Sequence, residues 1–403
     1  MSSPRRIYLD NAATSWPKPE AVYRAVEHYH RDVGAAAGRG AYSEALEAGR
    51  LVETARSGVA RLVGAGDPRR IVLTNSGTDG LNLAIHGFLE SGDHVVTTAA
   101  EHNSVLRPLR ELENRSSVRV TRVACDSAGQ VDPDDIRRAM TTDTKLIAIL
   151  HASNVTGAIQ PVAEVGRIAR DHGAALLVDA AQTLGHLPIS VEEMLVDLLA
   201  APGHKGLLGP LGTGVLYIRP GIESRLRSVR QGGTGTRSEE DCQPQSLPDK
   251  YESGNANVPG LAGLAAGIDF VETRGLIAIR RHELALVEQF LERLEASPQV
   301  QVFGPTQLAE RVGVVSIRVE GYDPQEIAAV LDASYGIQVR AGLHCAPLVH
   351  RAIGTFGGGG TVRFSFSPSN TLEEIDVAAS AIVEIATASP STAHETTRGS
   401  CPP

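Results

Sequence analysis

The sequence predicts an α/β protein with a large domain, built on a mostly parallel central sheet wrapped by helices, and a smaller α+β domain. Three observations predict this fold. Short apolar runs without polar alternation recur along the first half of the chain, as strands buried on both faces of a parallel sheet do. Helical patterns separate these runs at regular spacing, which is typical of right-handed βαβ crossovers. At 403 residues the chain exceeds what one hydrophobic core usually supports, which favours two domains.

The composition indicates a small-molecule enzyme. Hydrophobic residues make up 42% and charged residues 21%, as in ordinary globular proteins, and the net charge is −9 without a long basic run. We therefore expect neither nucleic acid nor a membrane as a partner. Neither a signal peptide nor 18 consecutive apolar residues stands in the sequence, so we expect a cytoplasmic protein. The four cysteines are scattered and form no Cys-x-x-Cys pair, which predicts no metal site and at least one free thiol.

The elements of the large domain follow from apolar periodicity and from turn residues. Helix 20–31 follows two prolines and carries its apolar residues on one face, and helix 43–63 consists of good helix formers and ends at glycine. Unbroken apolar runs that end in polar or glycine residues predict the strands. The predicted strands are 7–9, 71–74, 94–99, 118–123, 146–150, 174–179, the run from residue 195, and 215–218. The other predicted helices are 81–89, 132–140 and 161–172.

A glycine-containing turn lies between strand 71–74 and helix 81–89. A tight turn before a helix N-terminus is an anion site, because free N–H groups and the positive end of the helix dipole both face it. Phosphate contacts at Gly77 and Thr78 are therefore predicted. The alternative is an ordinary helix start, with Thr78 as the N-cap residue.

Two strand ends carry an acid and an amine 26 residues apart, Asp179 and Lys205. The carboxyl ends of strands border the ligand crevice of an open α/β sheet, so both groups can meet one ligand. Pyridoxal phosphate needs such a pair, a lysine for the Schiff base and a carboxylate that keeps the pyridine nitrogen protonated. The alternative is an acid that caps a turn and a surface lysine. His102 and Asn154 follow two other strands and reach the same rim.

The second part of the chain shows a different pattern. Residues 231–236 form a second candidate phosphate loop, although most glycine-rich loops are simple turns. Two long helices at 259–274 and 277–296 lead to a smaller α+β region. Its predicted strands are 312–319, 337–340 and 361–366, and its predicted helices are 323–331 and 371–386. We expect a large domain at 15–260, a small domain formed by 1–14 and 261–388, and a disordered tail at 389–403.

A cysteine and an arginine stand out in the small domain. Cys345 follows strand 337–340 in a turn with Gly342 and His344. Neighbouring histidine and arginine residues lower a thiol pKa, which favours a reactive nucleophile over an inert buried cysteine. Arg363 lies in strand 361–366 on the face opposite its apolar neighbours, where it can clamp a substrate carboxylate. The alternative is an arginine that caps a helix or pairs with a surface acid.

The motifs together resemble those of the cysteine desulfurases and selenocysteine lyases, class V aminotransferase-like enzymes of pyridoxal phosphate fold type I. The resemblance covers residues 7–386 in one order. The motifs that carry it are residues 8–14 (YLDNAAT), 77–82 (GTDGLN), 101–104 (EHNS), 153–157 (SNVTG), 178–182 (VDAAQ), 203–205 (GHK) and 340–345 (RAGLHC).

The resemblance implies a role for each site residue. Lys205 would form the Schiff base with the cofactor, Asp179 would bind its ring nitrogen, and Gln182 its hydroxyl. His102 would stack on the ring and move protons, and Asn154 would contact the cofactor or the substrate carboxylate. Gly77, Thr78 and His204 would hold the phosphate, together with Thr234 of a second subunit. Arg363 would clamp the carboxylate of L-cysteine. Cys345 would take its sulfur as a persulfide, which leaves L-alanine and supplies a possible sulfur-acceptor protein.

Two positions depart from the family pattern. Pro202 stands three residues before Lys205, where a hydroxyl that holds the phosphate is missing, so phosphate binding is expected to be redistributed. The short interval between Arg340 and Arg363 resembles that of family members with a compact thiol loop.

We expect a homodimeric cysteine desulfurase. An aminotransferase or a C–S or C–Se lyase that does not use the thiol, and a non-enzymatic cofactor-binding regulator or sulfur carrier, stay as alternatives.

Overall fold

The computed structural model describes residues 6–38, 40–237 and 239–388. Within these ranges the strands are β1 (Ile7–Tyr8), β2 (Ile71–Thr74), β3 (His94–Thr98), β4 (Arg119–Val123), β5 (Thr144–Leu150), β6 (Ala175–Asp179), β7 (Leu198–Pro202), β8 (Gly214–Ile218), β9 (Val300–Phe303), β10 (Val314–Val319), β11 (Ile337–Gln338), β12 (Arg340–Gly342) and β13 (Thr361–Ser365). The helices are α1 (Glu20–His28), α2 (Ser43–Val63), α3 (Gly77–Phe88), α4 (Asn103–Ser116), α5 (Pro133–Ala139), α6 (Val162–Asp171), α7 (Val258–Arg274), α8 (Leu276–Leu294), α9 (Pro324–Tyr335), α10 (Pro347–Ala352) and α11 (Leu372–Thr387).

The central sheet has seven strands in the order β2-β8-β7-β6-β5-β3-β4. Neighbouring strands from β7 to β4 pair in parallel, and β8 runs antiparallel to both β7 and β2. Every residue of β5 except Lys145, and all of β6, β7 and β8, are buried. Burial on both faces explains the unbroken apolar runs, and the predicted fold class, an α/β protein with a mostly parallel sheet, is confirmed.

Several elements differ from the sequence prediction. Helix α3 begins at Gly77 instead of residue 81, so its first turn contains the glycine turn. Helix α4 was not predicted, because Pro108 interrupts a pattern that otherwise buries Val105, Leu109 and Leu112 on one face. The short strand β9 and helix α10 were also missed; two of the four residues of β9 are exposed, so its sequence lacks the apolar signature of a core strand.

A second, antiparallel sheet has the strand order β12-β13-β10-β9. Phe290 of α8 packs against Phe364 and Phe366 with ring centroids 4.7 and 5.7 Å apart, which anchors the helix on this sheet. Strand β1 pairs in parallel with β11, with Ile7 opposite Ile337. The N-terminal segment therefore lies against elements from the end of the chain.

The described residues contain no helix long and apolar enough to cross a membrane. They also contain no group of three or more histidine, cysteine or acidic side chains that could hold a metal ion. The domain boundaries at residues 14/15 and 260/261 stay a prediction, and the predicted disordered tail, 389–403, lies outside the described residues.

Candidate active site

A cavity of about 230 Å³ lies at the carboxyl ends of β5, β6 and β7 and at the N-termini of α3 and α4. Eight of the predicted site residues line it: Gly77, Thr78, His102, Asn154, Asp179, Gln182, His204 and Lys205. They come together because parallel strands deliver their following loops to one edge of the sheet. Cys345, Arg363 and Thr234 do not line this cavity.

Lys205 lies three residues beyond the end of β7, and its side chain is partly exposed to the cavity. The pKa of its amine is lowered to about 8, mainly by burial; Asp179 acts against this shift, and the nearby guanidinium groups of Arg363 and Arg340 add to it. The neutral amine, which is the nucleophilic form, is therefore accessible near neutral pH.

Asp179 ends β6 and is 6% exposed. Its Oδ1 accepts a hydrogen bond from the Ala181 N–H at 2.9 Å. Burial raises the pKa of the carboxyl group, whereas the Ala181 N–H and the Lys205 amine act to lower it. A cationic N–H group placed against this carboxylate would stabilise its ionised form.

The first turn of α3 forms one wall of the cavity. Ser76, not Thr78, is the N-cap residue, because its side chain accepts the Asp79 N–H at 3.1 Å. The alternative that Thr78 caps the helix is therefore wrong, and the Thr78 hydroxyl is available for other contacts. Gly77 packs so closely that a Cβ atom there would lie 2.9 Å from Cδ of Pro202. Pro202, which departs from the family pattern, thus packs directly against the glycine turn at the start of α3.

His102 caps α4 and lines the cavity. Its Nδ1 accepts the Ser104 N–H at 3.0 Å and lies 2.9 Å from Ser104 Oγ. The pKa of the imidazole is lowered to about 4, mainly by burial and in smaller part by the nearby charges of Lys205 and Arg340. Ser104 also lines the cavity, and sequence reasoning missed it, although it stands in the same EHNS motif.

Asn154 connects the cavity to Arg363. Its Nδ2 donates to the carbonyl oxygen of His344 at 2.7 Å, and its own carbonyl oxygen accepts Arg363 Nη1 at 3.1 Å. Arg363 is 1% exposed, and its Nη2 donates to Oδ1 of Asp10 at 2.6 Å. Arg363 thus has an acidic partner within the protein, and its predicted role as a clamp for the substrate carboxylate stays a prediction.

Cys345 lies in the turn after β12. Nη2 of Arg340 donates to its Sγ at 3.3 Å, and its carbonyl oxygen accepts the Asn103 N–H at 2.8 Å. His344 and Cys345 both adopt left-handed backbone conformations, with φ of 47° and 60°. Such angles are strained for residues with side chains and cluster at functional sites. The thiol therefore lies next to the cavity, held by Arg340, which lines it.

The two other described cysteines differ from Cys345 in their surroundings. Burial raises the pKa of the Cys125 thiol to about 11, so this thiol is unreactive at neutral pH. Cys242 is exposed in a loop.

Gln182 and Thr234 complete the predicted set. The Gln182 side chain is buried, and its Nε2 donates to the carbonyl oxygen of Ala12 at 3.2 Å. Thr234 lies in an exposed loop, where its Oγ1 contacts Thr236 Oγ1 at 3.0 Å, and it lines other cavities. Its predicted contact with the cofactor of a second subunit stays a prediction.

The chain is similar to known proteins over nearly its whole length. A family model described as Aminotransferase class-V matches residues 7–377. The chain is 38% identical over 384 residues to a probable cysteine desulfurase of Methanothermobacter thermautotrophicus, covering 94% of each protein. Among solved structures, it is similar to the apo cysteine desulfurase of Thermococcus onnurineus NA1, with a TM-score of 0.88, 37% identity and 94% coverage of each chain.

A second solved structure, the cysteine desulfurase CsdA of Escherichia coli in an S-sulfonic acid form, gives a TM-score of 0.84 at 28% identity, with 94% of each chain covered. Enzymes of the class V aminotransferase family generally depend on pyridoxal phosphate. By this family match and by its similarity to proteins named as cysteine desulfurases over nearly the whole length, the chain belongs to the aminotransferase class-V family.

Proposed function

We propose that this protein is a pyridoxal phosphate-dependent cysteine desulfurase, which converts L-cysteine to L-alanine and takes the sulfur onto Cys345. The observation that carries the proposal is the placement of the thiol. Arg340 contacts Sγ of Cys345 at 3.3 Å and lines the same cavity as Lys205. The similarity to proteins named as cysteine desulfurases supports the same activity.

The residues of the cavity fit pyridoxal phosphate. Asp179 offers a buried carboxylate for a protonated ring nitrogen, and Lys205 offers an amine with a pKa of about 8 for the aldehyde carbon. At the start of α3, the N–H groups of Gly77 and Thr78 have no partner within the helix and favour a phosphate. Nδ1 of His204 is buried without a hydrogen-bond partner among the described residues, which is consistent with a missing anionic partner. When bound, the cofactor supplies an electron sink for negative charge at the substrate α-carbon.

The reaction needs a group that moves the α-proton. The Lys205 amine lines the cavity and exchanges a proton near neutral pH, so Lys205 Nζ is the candidate for this step. His102 borders the same space and helps to shape it. Both side chains are only partly exposed, which limits the access of water to them.

The substrate carboxylate and sulfur require two further groups. Arg363 lies behind Asn154, and we propose that it contributes the positive charge that binds the carboxylate. Cys345, as a thiolate, would attack the substrate sulfur, so that a new S–S bond forms as the C–S bond breaks. Nη2 of Arg340 donates to Sγ of Cys345 and would lie beside the attacking sulfur. An external thiol then reduces the persulfide and releases sulfide.

We further propose that the enzyme is a cytoplasmic homodimer, in which Thr234 reaches the phosphate of the neighbouring subunit, and that it passes sulfur to an acceptor protein. Thr234 is half-buried in a loop whose neighbouring residues are exposed, which is compatible with this role.

Incubation of the purified protein with L-cysteine and an excess of a thiol reductant tests the proposal. We expect alanine and sulfide in equal amounts, and before reduction we expect mass spectrometry to locate one additional sulfur on the peptide that contains Cys345. Pyruvate and ammonia in place of alanine would indicate a β-elimination lyase instead, and contradict the proposal.

A further inference from the structure

The imidazole of His102 has one nitrogen committed to the start of helix α4. His102 is the N-cap residue of α4, and its Nδ1 accepts the backbone N–H of Ser104 at 3.0 Å. A backbone N–H is always a donor, so Nδ1 must carry the lone pair. The single proton of the neutral ring is then on Nε2.

A second contact supports the same tautomer. Oγ of Ser104 lies 2.9 Å from Nδ1 of His102 and 2.8 Å from Oγ1 of Thr78. Because Nδ1 already accepts, the contact between the serine and the imidazole is a hydrogen bond only if the serine hydroxyl donates to Nδ1. The Thr78 hydroxyl then donates to Ser104, which gives one consistent proton order from Thr78 through Ser104 to His102.

Because Nδ1 is committed to the start of α4, Nε2 is the ring nitrogen left for the cavity. His102 lines it, and Nε2 makes no hydrogen bond to any described residue. A second proton would have to bind at Nδ1, where it would displace two donors beside the positive end of the α4 dipole. The cationic side chains of Lys205, Arg340, Arg363 and Arg107 oppose that proton as well.

We propose that Ser104 is a positioning residue that fixes His102 as the neutral Nε2–H tautomer, so that the ring presents a hydrogen-bond donor, and no free lone pair, to the cavity. The proposal rests on the proposed function only for the identity of the group that receives this hydrogen bond. It assigns His102 a different part from the proton-moving role that the family resemblance implies, and it leaves Lys205 Nζ as the group that takes the α-proton.

Nitrogen NMR of the imidazole rings tests the proposal without an activity measurement. The full-length protein is labelled with [15N]histidine and measured with and without pyridoxal phosphate, and His102→Gln assigns the His102 signals. We expect a protonated Nε2 and an unprotonated Nδ1 in both states between pH 6 and 9. A protonated Nδ1, or a mixture of both tautomers, would overturn the proposal.

Two variants test the part of the serine side chain. Ser104→Ala removes one donor to Nδ1, so the measured pKa of His102 is expected to rise by about half a unit, because hydrogen bonds to the neutral form of a base hold its pKa down. Ser104→Thr keeps the hydroxyl and is expected to restore the wild-type titration. Ser116→Ala, the same change at the other end of α4, is the matched control. An unchanged titration in Ser104→Ala would refute a role for the hydroxyl.

The same samples separate this proposal from the proposed function. If the Nε2–H tautomer is observed but L-cysteine gives no alanine, the desulfurase assignment fails and the tautomer assignment stands. If alanine and sulfide form while Nδ1 is protonated, the tautomer assignment fails alone.

Discussion

Arg363 and Asp10 form a partly buried ion pair across 353 positions of the chain, with Nη2 and Oδ1 at 2.6 Å. Arg363 lies in β13. Asp10 follows β1 and forms a β-bridge with Ser365, which is also in β13. The guanidinium also donates to the carbonyl oxygen of Asn154, whereas its Nε has no partner among the described residues. A substrate carboxylate at Arg363 would therefore share the guanidinium with Asp10.

We expect Asp10→Asn to destabilise the protein by about 2 kcal/mol. The change removes the counter-charge of a guanidinium that is 1% exposed, and an uncompensated buried charge costs several kcal/mol. The partial exposure of the Asp10 side chain, 20%, reduces that cost. Denaturant unfolding of the two proteins measures the difference.

Asp67→Asn is the matched control for this change. Asp67 pairs with Arg69, whose side chain is 73% exposed, and exposed pairs contribute less than about 1 kcal/mol. Equal losses of unfolding free energy in the two variants would mean that the pair between Asp10 and Arg363 contributes no more to stability than an exposed ion pair does.

A second prediction concerns two lysines with lowered pKa values. Burial lowers the pKa of both Lys205 and Lys18 to about 8, but only Lys205 lines the cavity. The Lys18 amine instead donates to Ser15 Oγ at 2.7 Å and to the His204 carbonyl oxygen at 2.8 Å. We expect Lys205→Ala to lose the visible absorbance of bound pyridoxal phosphate and Lys18→Ala to keep it. The cofactor assignment would be refuted by an unchanged spectrum of Lys205→Ala.

The central sheet could be predicted from the sequence because its strands are buried on both faces. Strand β2 and helix α2 have the predicted bounds, and β6 and β8 differ by one residue at their starts. The rule of strand ends predicted that Asp179, Lys205, His102 and Asn154 meet at one rim, and the glycine turn added Gly77 and Thr78. Gln182 and His204 came only from the family resemblance. All eight line one cavity. Apolar runs in the local sequence were therefore enough to predict the strands that are buried on both faces.

The contacts between distant segments could not be predicted. Nothing in the local sequence pairs Asp10 with Arg363, and the Ser104 hydroxyl acquires its place only once α3 and α4 lie side by side. Helix α4 itself was not predicted, because Pro108 interrupts its helical pattern. These contacts depend on tertiary packing, which overrides local propensity.

The third prediction concerns the carboxylate of Asp179. Asp179→Asn is expected to preserve the fold, because an asparagine oxygen can still accept the Ala181 N–H that lies 2.9 Å from Oδ1. The loss of negative charge weakens the stabilisation of a protonated ring nitrogen, and with it the electron sink. We expect the turnover number to fall about a hundredfold, while the bound cofactor, measured by absorbance after alkaline release, changes little. Wild-type turnover would show that another group binds the ring nitrogen.

The fourth prediction concerns pH and Glu101, which is 0% exposed. Burial raises the pKa of this carboxyl group to about 8, against the hydrogen bonds from Thr98 and from the Leu150 N–H. The folded protein therefore binds a proton that the unfolded chain releases near its ordinary pKa. The associated stability is fully present below pH 4.5 and is lost as the pH rises to about 8.

Glu101→Gln should remove this dependence, since glutamine resembles the protonated acid in shape and keeps an oxygen acceptor. We expect the wild-type unfolding free energy to fall between pH 5 and 8 relative to the variant, by up to about 1.4 kcal/mol per pH unit. Above about pH 8 the difference in unfolding free energy between the wild type and Glu101→Gln becomes constant. Denaturant titrations across this range measure it, with the exposed Glu292→Gln as control. Parallel curves for wild type and Glu101→Gln would show that Glu101 is ionised in the folded protein throughout.

The last prediction separates the desulfurase from a lyase through Cys345. We expect Cys345→Ser to keep the cofactor spectrum and the spectral response to L-cysteine, because Cys345 does not line the cavity. The variant should lose the persulfide and the release of sulfide by at least about a hundredfold, since a serine hydroxyl is not ionised at neutral pH. Selenolate is a better leaving group than thiolate, so the variant should lose less activity with selenocysteine.

Cys125→Ser is the matched control, because burial raises the pKa of that thiol to about 11 and leaves it protonated at neutral pH. This control should release sulfide at the wild-type rate and still carry the additional sulfur on Cys345. If Cys345→Ser also released sulfide from L-cysteine at the wild-type rate, the thiol would have only a structural part, held by Arg340 in a strained turn. Sulfur would then leave by elimination from the substrate, and the enzyme would be a C–S lyase of the same family.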